Sequence, residues 1–408
     1  MGWSPHVAVA HYPEGAGHAT RMLAIADELA AHGAHVSLAG GGAGQRFVEL
    51  NGYDAFEPTP VDYIDTYQHG AVHEVFTRSL PATAARLSEY VRWLREESPD
   101  ALVTDDMFAA MAARRVGVPQ YVLKHDLPGL YESRVERAGA GFHTRFQLAA
   151  ARAFFQPTVW PETGREPSGV TRIPPVALEG GPDGRAAAAA RDPDVVVVPS
   201  AYSDLSRVAT HLERQGFDTL DVGSESWEAV PSLLPYLRAA DLVVCSGYST
   251  VMDAAVAGTP CIVSPATDEQ RAVADRLRDT EGFAVADGPL DVLDAAADPP
   301  AAPAFENGAP VVAERVLTDL RDGHEPTADG REAGGRVRRS LGRWRDGVTA
   351  TAALLGAVSL FAWAGLSASA GRVAGGTWAR LLALYATVVA TLTRDGTAER
   401  NERTARTD

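Results

Sequence analysis

Short apolar runs alternate with helix-length amphipathic segments along most of this chain, and no other feature narrows its fold as far. HVAVA (6–10) is a strand-length run. After it, Met22, Ile25, Ala26, Leu29 and Ala30 recur at helical spacing, and Gly33 can close the helix. HVSLA (35–39) reads as a second strand, ALVTDD (101–106) as a third, MFAAMAARRVGV as a helix and QYVLKH (120–125) as a strand. Repeated strand–helix–strand units require a parallel sheet with helices on both faces.

Proline and glycine then crowd the stretch 161–194, which reads as a linker or crossover. The alternation restarts beyond it. VVVVP (195–199), FDTLDVG (217–223), DLVVC (241–245), PCIVSP (260–265) and GFAVA (282–286) are strand candidates separated by helical segments. The run 308–322 reads as a closing helix. Two α/β units follow, 1–175 and 176–322. At 408 residues the chain is long enough for two such cores.

Composition excludes some functions. Acidic residues number 53 against 37 basic, a net charge of −16, which makes general nucleic-acid binding a poor fit. Lys124 is the single lysine; every other basic residue is arginine. That bias fits a halophilic, carboxylate-rich surface, and equally a GC-rich coding sequence. The two cysteines, Cys245 and Cys261, sit in or beside apolar runs and read as small buried hydrophobes, too few for a disulfide framework or a cysteine zinc site. The N-terminal stretch MGWSPHVAVAHYPEG has neither the basic region nor the long apolar stretch of a signal peptide, so the body is expected in the cytoplasm.

The tail differs from the body. Residues 323–346 form a basic linker, 347–371 carry no charge, and 373–393 carry only Arg380. Two runs of this length predict a transmembrane helical hairpin over 347–393, followed by a charged tail at 394–408. Arginines outside both ends place the body at the cytoplasmic face of the cell membrane.

Two stretches could carry chemistry. In EGAGHATRML, Gly15 and Gly17 let a ligand approach the main chain, and the helix that follows offers free N–H groups. His18 at that helix start can take a proton from an incoming hydroxyl near neutral pH, although a histidine satisfied by backbone groups would look the same. The G-A-G-H spacing is a poor match to a dinucleotide fingerprint. The second stretch is DLVVCSGYSTVMDAAVAGTPCIVSPATDEQ (241–270). Ser246, Gly247, Ser249 and Thr250 open a helix and make a diphosphate cradle. Asp253, one turn in, can accept two ribose hydroxyls. Asp268, Glu269 and Gln270 follow the next strand at the carboxyl edge of the sheet, where open α/β sheets bind ligands.

Together these motifs resemble the MurG-like branch of the two-Rossmann-domain (GT-B) glycosyltransferases and its archaeal, halophilic relatives. The matching features are the Gly-rich loop ending in Gly17-His18, the turn from Ser246 to Thr250, an acid three residues later (Asp253, where the family usually has Glu), and Glu269-Gln270. VGVPQYVLKHD also looks like a family strand and loop. The resemblance spans roughly 5–322. It implies two doubly wound parallel-sheet domains facing a cleft, and a hexosyltransferase that moves sugar from a nucleotide-sugar, taken as UDP-linked, to an acceptor hydroxyl with inversion and without a bound metal. It puts Ser249 and Thr250 at the diphosphate, Asp253 at the ribose, Glu269 and Gln270 at the donor sugar, and His18 as base. Glu14, Asp105, Asp106 and His125 compete for that last role. PSAYSD stands where the family often has a glycine-rich loop. AGGGAGQ (39–45) reads as a mobile cleft wall, and Asp192-Pro193-Asp194 as a turn rather than a metal motif. The membrane tail makes a lipid-linked acceptor the expectation. The alternatives are a nonhydrolysing nucleotide-sugar 2-epimerase of the same fold, and a non-catalytic subunit that binds sugar-nucleotides and recruits a partner to the membrane.

Overall fold

The structure, a computed structural model, describes residues 4–60, 80–125, 141, 144–162, 167–200, 203 and 205–324. The basic linker beyond His324, the expected hairpin and the charged tail lie outside the described residues. Among the described residues, no helix is long and apolar enough to cross a membrane.

The first domain holds a seven-stranded parallel sheet. Its elements run β1 (His6–Ala10), α1 (Ala16–Ala31), β2 (His35–Ala39), α2 (Gln45–Leu50), β3 (Ala55–Phe56), α3 (Leu80–Glu97), β4 (Ala101–Thr104), α4 (Met107–Val116), β5 (Gln120–Leu123), β6 (Ala153–Pro157) and β7 (Val170–Ile173). The strand order is β3-β2-β1-β4-β5-β6-β7. β1 is flanked by β2 and β4, so the order reverses there and a crevice opens at the carboxyl ends of β1 and β4.

The second domain has α5 (Pro182–Arg191), β8 (Val195–Val198), α6 (Ser206–Arg214), β9 (Thr219–Asp221), α7 (Leu234–Ala239), β10 (Leu242–Cys245), α8 (Tyr248–Ala257), β11 (Cys261–Val263), α9 (Asp268–Leu277), β12 (Phe283–Val285) and α10 (Pro289–Ala297). Its parallel order is β12-β11-β10-β8-β9. The reversal falls between β8 and β10.

Burial explains both sheets. Side chains on one face of the first sheet pack with Met22, Ile25 and Leu29 of α1; on the other face, Ala8, Ala10 and Leu102 pack with Tyr90, Leu94, Phe108 and Ala112 of α3 and α4. The second sheet is covered in the same two-sided way. Continuous apolar strands such as VVVV, buried on both faces, are what such a sheet demands.

Several boundaries differ from the sequence reading. The 161–194 stretch contributes β7 and α5, and its Asp192 closes α5 in a left-handed conformation. The glycine-rich wall at 39–45 is packed: Gly40 and Gly44 leave no room for a side chain beside the buried His11 ring. The closing helix, α11 (Ala309–His324), returns to the first domain. Its Val312, Ala313, Val316 and Leu317 join the cluster of α1, and Tyr121 Oη donates to Asp319 Oδ2 at 3.0 Å. An apolar stripe on α11 matches the uncovered side of α1, so the unit read as 176–322 loses its last helix to the other domain.

Candidate active site

The loops at the two sheet reversals face each other. β1 feeds the loop that carries Tyr12, Gly15 and Gly17 into α1; β4 ends at Thr104 and is followed by Asp105 and by Asp106, the N-cap of α4. Asp105 Oδ1 accepts from the Tyr12 N–H at 2.8 Å, and Asp105 Oδ2 lies 2.7 Å from His18 Nδ1. A carboxylate only accepts, so Nδ1 carries the ring proton and Nε2 is left as the acceptor. Among the described residues, Nε2 has no hydrogen bond. The His18 ring is 23% exposed, Asp105 only 4%. Burial works against the Asp105 charge, but His18, Arg21 and the Tyr12 N–H together hold its carboxyl below the usual carboxylate range.

This geometry sorts the competing bases. Asp105 orients His18. Asp106 is fully buried, caps α4 by accepting from Phe108 N–H at 2.7 Å, and is ion-paired to the fully buried Arg86 at 2.6 Å. Tyr90 Oη also donates to it, at 2.8 Å. Both Asp106 oxygens are thereby committed to the fold. Glu14 accepts from Tyr12 Oη at 3.2 Å. His125 lies just past β5, its ring 5.5 Å from that of His18 and stacked at 4.6 Å on Tyr248 of the second domain.

Across the cleft, β10 runs into Ser246, and Gly247 starts α8 with extended backbone and no side-chain cap. α1 likewise starts at Gly15, where φ is +85°, without a side-chain cap and without an acid in its first turn. Two helix N-termini with free N–H groups therefore converge. They meet where Ser249 Oγ donates to the Gly17 carbonyl at 3.4 Å. Gly17 has no alternative there, because a Cβ would overlap Ser249 Oγ. Thr250 is buried one residue on.

Asp253 is half-buried on α8, and desolvation pushes its carboxyl up to about 7, partly offset by Arg21. No hydrogen bond to its side chain exists among the described residues. Ser246 is tied into a hydroxyl cluster, 2.6 Å from Ser203 Oγ, and accepts from Ser200 N–H at 3.0 Å. Gln270 caps α9: its Oε1 accepts from the Thr267 N–H at 3.2 Å and from the Ala266 N–H at 2.8 Å, and its Nε2 donates to Ser200 Oγ at 3.1 Å. Asp268 is 97% exposed and lies 3.6 Å from Arg271. The Glu269 side chain lies outside what is described.

Sequence reading missed Arg21 and Tyr248 and left Asp105 in reserve. The signal for Arg21 was its place three residues after His18, on the same helical face. Among the described residues, no group of three or more His, Cys, Asp and Glu could hold a metal ion. Asp194, in the Asp-Pro-Asp turn, accepts from the Asp218 N–H at 2.7 Å.

No protein-family model and no curated protein sequence matches the chain. Solved structures do. The Streptomyces sp. SF2575 glycosyltransferase SsfS6 superposes with a TM-score of 0.54 at 16% identity, over 78% of this chain and 96% of its own. Its complex with thymidine diphosphate gives 0.53 at 14%, with the same coverage. This chain has the GT-B fold. The spinosyn rhamnosyltransferase SpnG, complexed with spinosyn aglycone, gives 0.50 at 16%, over 78% and 96%.

Proposed function

We propose that the protein is a glycosyltransferase that moves a hexose from a nucleoside diphosphate sugar to an acceptor hydroxyl, inverting the anomeric carbon without a bound metal. The observation that carries this reading is the opposition of two unlike sites: a His18–Asp105 pair with Nε2 unbonded, and the uncapped start of α8 against it. The MurG-like assignment and a halophilic origin belong to the same proposal and rest on the motifs and the composition.

Nε2 of His18 accepts the acceptor's hydroxyl proton while that oxygen attacks the anomeric carbon. Asp105 holds the ring and stabilises the imidazolium that forms. The bond from the anomeric carbon to the diphosphate breaks, and the electron pair leaves with the diphosphate. Free N–H groups of α8, with Ser249 and Thr250, stabilise the growing negative charge in place, as preorganised donors do. Asp253 accepts from the ribose hydroxyls. Ser246 and Gln270 act one step back, by setting the backbone of the turn. Uridine diphosphate follows from the motifs and thymidine diphosphate from the SsfS6 complex, so both are donor candidates.

The acceptor in this reading is apolar and lipid-linked, presented at the cytoplasmic face of a membrane to which 347–393 anchors the body. The support is the uncharged 25-residue run 347–371, roughly 37 Å as a helix against about 30 Å of hydrocarbon. Donor turnover with a lipid extract tests the whole proposal. Sugar transfer supports it; epimerised nucleotide-sugar, or no turnover with any UDP- or TDP-hexose, contradicts it. Release of the full-length protein from membranes by carbonate alone would remove the spanning hairpin while leaving the reaction.

A further inference from the structure

Tyr248 is the first residue of α8, the helix whose free N–H groups receive the diphosphate, and the reaction above leaves its side chain unused. The ring reaches into the first domain. It stacks on His125 with 4.6 Å between ring centres and 25° between the planes, and its Oη donates to the Pro157 carbonyl at 2.6 Å. Trp160, three residues past Pro157 and buried, meets it edge-on at 6.0 Å. The Arg21 guanidinium, on α1, lies 5.8 Å from the ring centre.

We propose that Tyr248 is a positioning residue that sets the register between the two crevices: seated at the ends of β5 and β6, it holds the start of α8 at the distance from His18 that transfer requires. This rests on the reading of the two crevices as a proton-transfer site and a diphosphate site.

The seat is rigid. His125 lies just past β5 and Pro157 ends β6, and these strands are paired, Leu123 with Phe155. Pro157 is itself paired with Ile173 of β7. The side chain placed in that seat is rigid too. A tyrosine ring has two torsions, and a ring stacked on one face with its hydroxyl bonded at the far end leaves neither free. Fixing the ring therefore fixes the first turn of α8, where Ser249 and Thr250 follow. A chain of ring contacts runs on to the base: His125 is 4.6 Å from Tyr248 and 5.5 Å from His18. Ser249 also touches the first domain, at the Gly17 carbonyl, but a 3.4 Å bond from a rotatable hydroxyl constrains the helix less.

The reaction needs such a constraint. The attacking oxygen is held from one domain and the leaving diphosphate from the other. An error in domain register is thus an error in the line of attack, and a misplacement of about 1 Å can cost roughly 100-fold in rate.

The test pairs geometry with kinetics. Spin labels at Arg95→Cys and Arg207→Cys, exposed positions on α3 and α6, read the distance between the domains in the substrate-free protein; Cys245 and Cys261 are fully buried. In Tyr248→Leu the distance distribution should shift or broaden, and kcat should fall by roughly 100-fold. The donor KM and the Kd of uridine or thymidine diphosphate should stay within about two-fold, because no group that touches the nucleotide is removed. Tyr248→Phe, which loses only the bond to Pro157, should lower kcat by about five-fold. An unchanged distance distribution in Tyr248→Leu, or a kcat within about three-fold of wild type, overturns the inference. If Tyr248→Leu does not fold, a wild-type kcat in Tyr248→Phe overturns it instead. Because the distance is read without substrate, failure of the transfer reading would show separately, as absent turnover in the wild type.

Discussion

The two crevices occupy equivalent places in two similar sheets, yet they are furnished in opposite ways. The first, at β1 and β4, collects ionisable groups: His18, Asp105, Arg21 and His125 within one network. The second, at β8 and β10, collects hydroxyls and backbone: Ser200, Ser203, Ser246 and the start of α8, with Asp253 one turn behind. A proton-transfer site needs groups that change charge. A diphosphate site needs donors that do not. The proposed function needs both from one fold: the reversal point fixes only where a ligand can lie, and the side chains decide what is done to it.

A second contrast sits inside the first crevice. Asp105 and Asp106 are adjacent, both nearly or fully buried, and both face an arginine. Asp106 has spent its oxygens on Arg86, Tyr90 and the cap of α4. Asp105 has spent one on Tyr12 and aims the other at His18. Breaking each should therefore fail differently. Asp106→Ala strands Arg86 as an unpaired buried charge and should cost about 3–5 kcal/mol, read by chemical denaturation. Asp105→Asn should leave the protein folded and lower turnover by roughly 100-fold, because the ring loses its orientation and its counter-charge. A mild loss of stability for Asp106→Ala, with activity gone, would erase the distinction.

Asp253 sharpens the comparison from the donor side. Its native value of about 7 lies above that of an unfolded aspartate, so between about pH 4 and 7 the native state holds a proton that the unfolded state has released. Stability then falls as pH rises through that window. Asp253→Asn should remove this slope and raise stability at pH 8 by about 2 kcal/mol, the full conversion of the shift being reduced by water in a half-buried cleft. Thermal melts at pH 5 and pH 8 read it; equal gains at both would assign the effect to packing. At the small end, Asp268→Ala should change turnover less than about two-fold, since that carboxylate is solvated. A ten-fold loss would bring Asp268 back into the site.

Much of this was legible in the sequence. The strand–helix alternation carries its own period, and glycines at 15, 17, 33 and 258 mark turns by the backbone freedom they supply: Gly15, Gly33 and Gly258 all have positive φ. His18, Ser249 and Thr250 could be picked out because each sits at a helix start after a buried strand. What stayed hidden is what depends on distant pairing. β6 ends on Pro157 and β7 lies inside the proline- and glycine-rich stretch, so local pattern did not mark them. The pairing of Asp105 with His18 needed β4 beside β1, a contact between residues 87 positions apart. The return of α11 to α1 needed the whole intervening domain. The capping box that Gln270 forms with Thr267 shares its spelling with the acid–Gln pair, so sequence alone did not show that the side chain also caps α9.

The central claim is that the two crevices divide the labour, proton transfer on one side and nucleotide on the other. Calorimetric titration of a nucleoside diphosphate into His18→Ala and Asp253→Ala tests it most directly. At pH 8, where the Asp253 carboxyl is ionised, His18→Ala should bind within about two-fold of wild type, and Asp253→Ala should bind more weakly by about 1.5–3 kcal/mol, the loss of hydrogen bonds to a charged group. Weakened binding in His18→Ala with wild-type affinity in Asp253→Ala would contradict it.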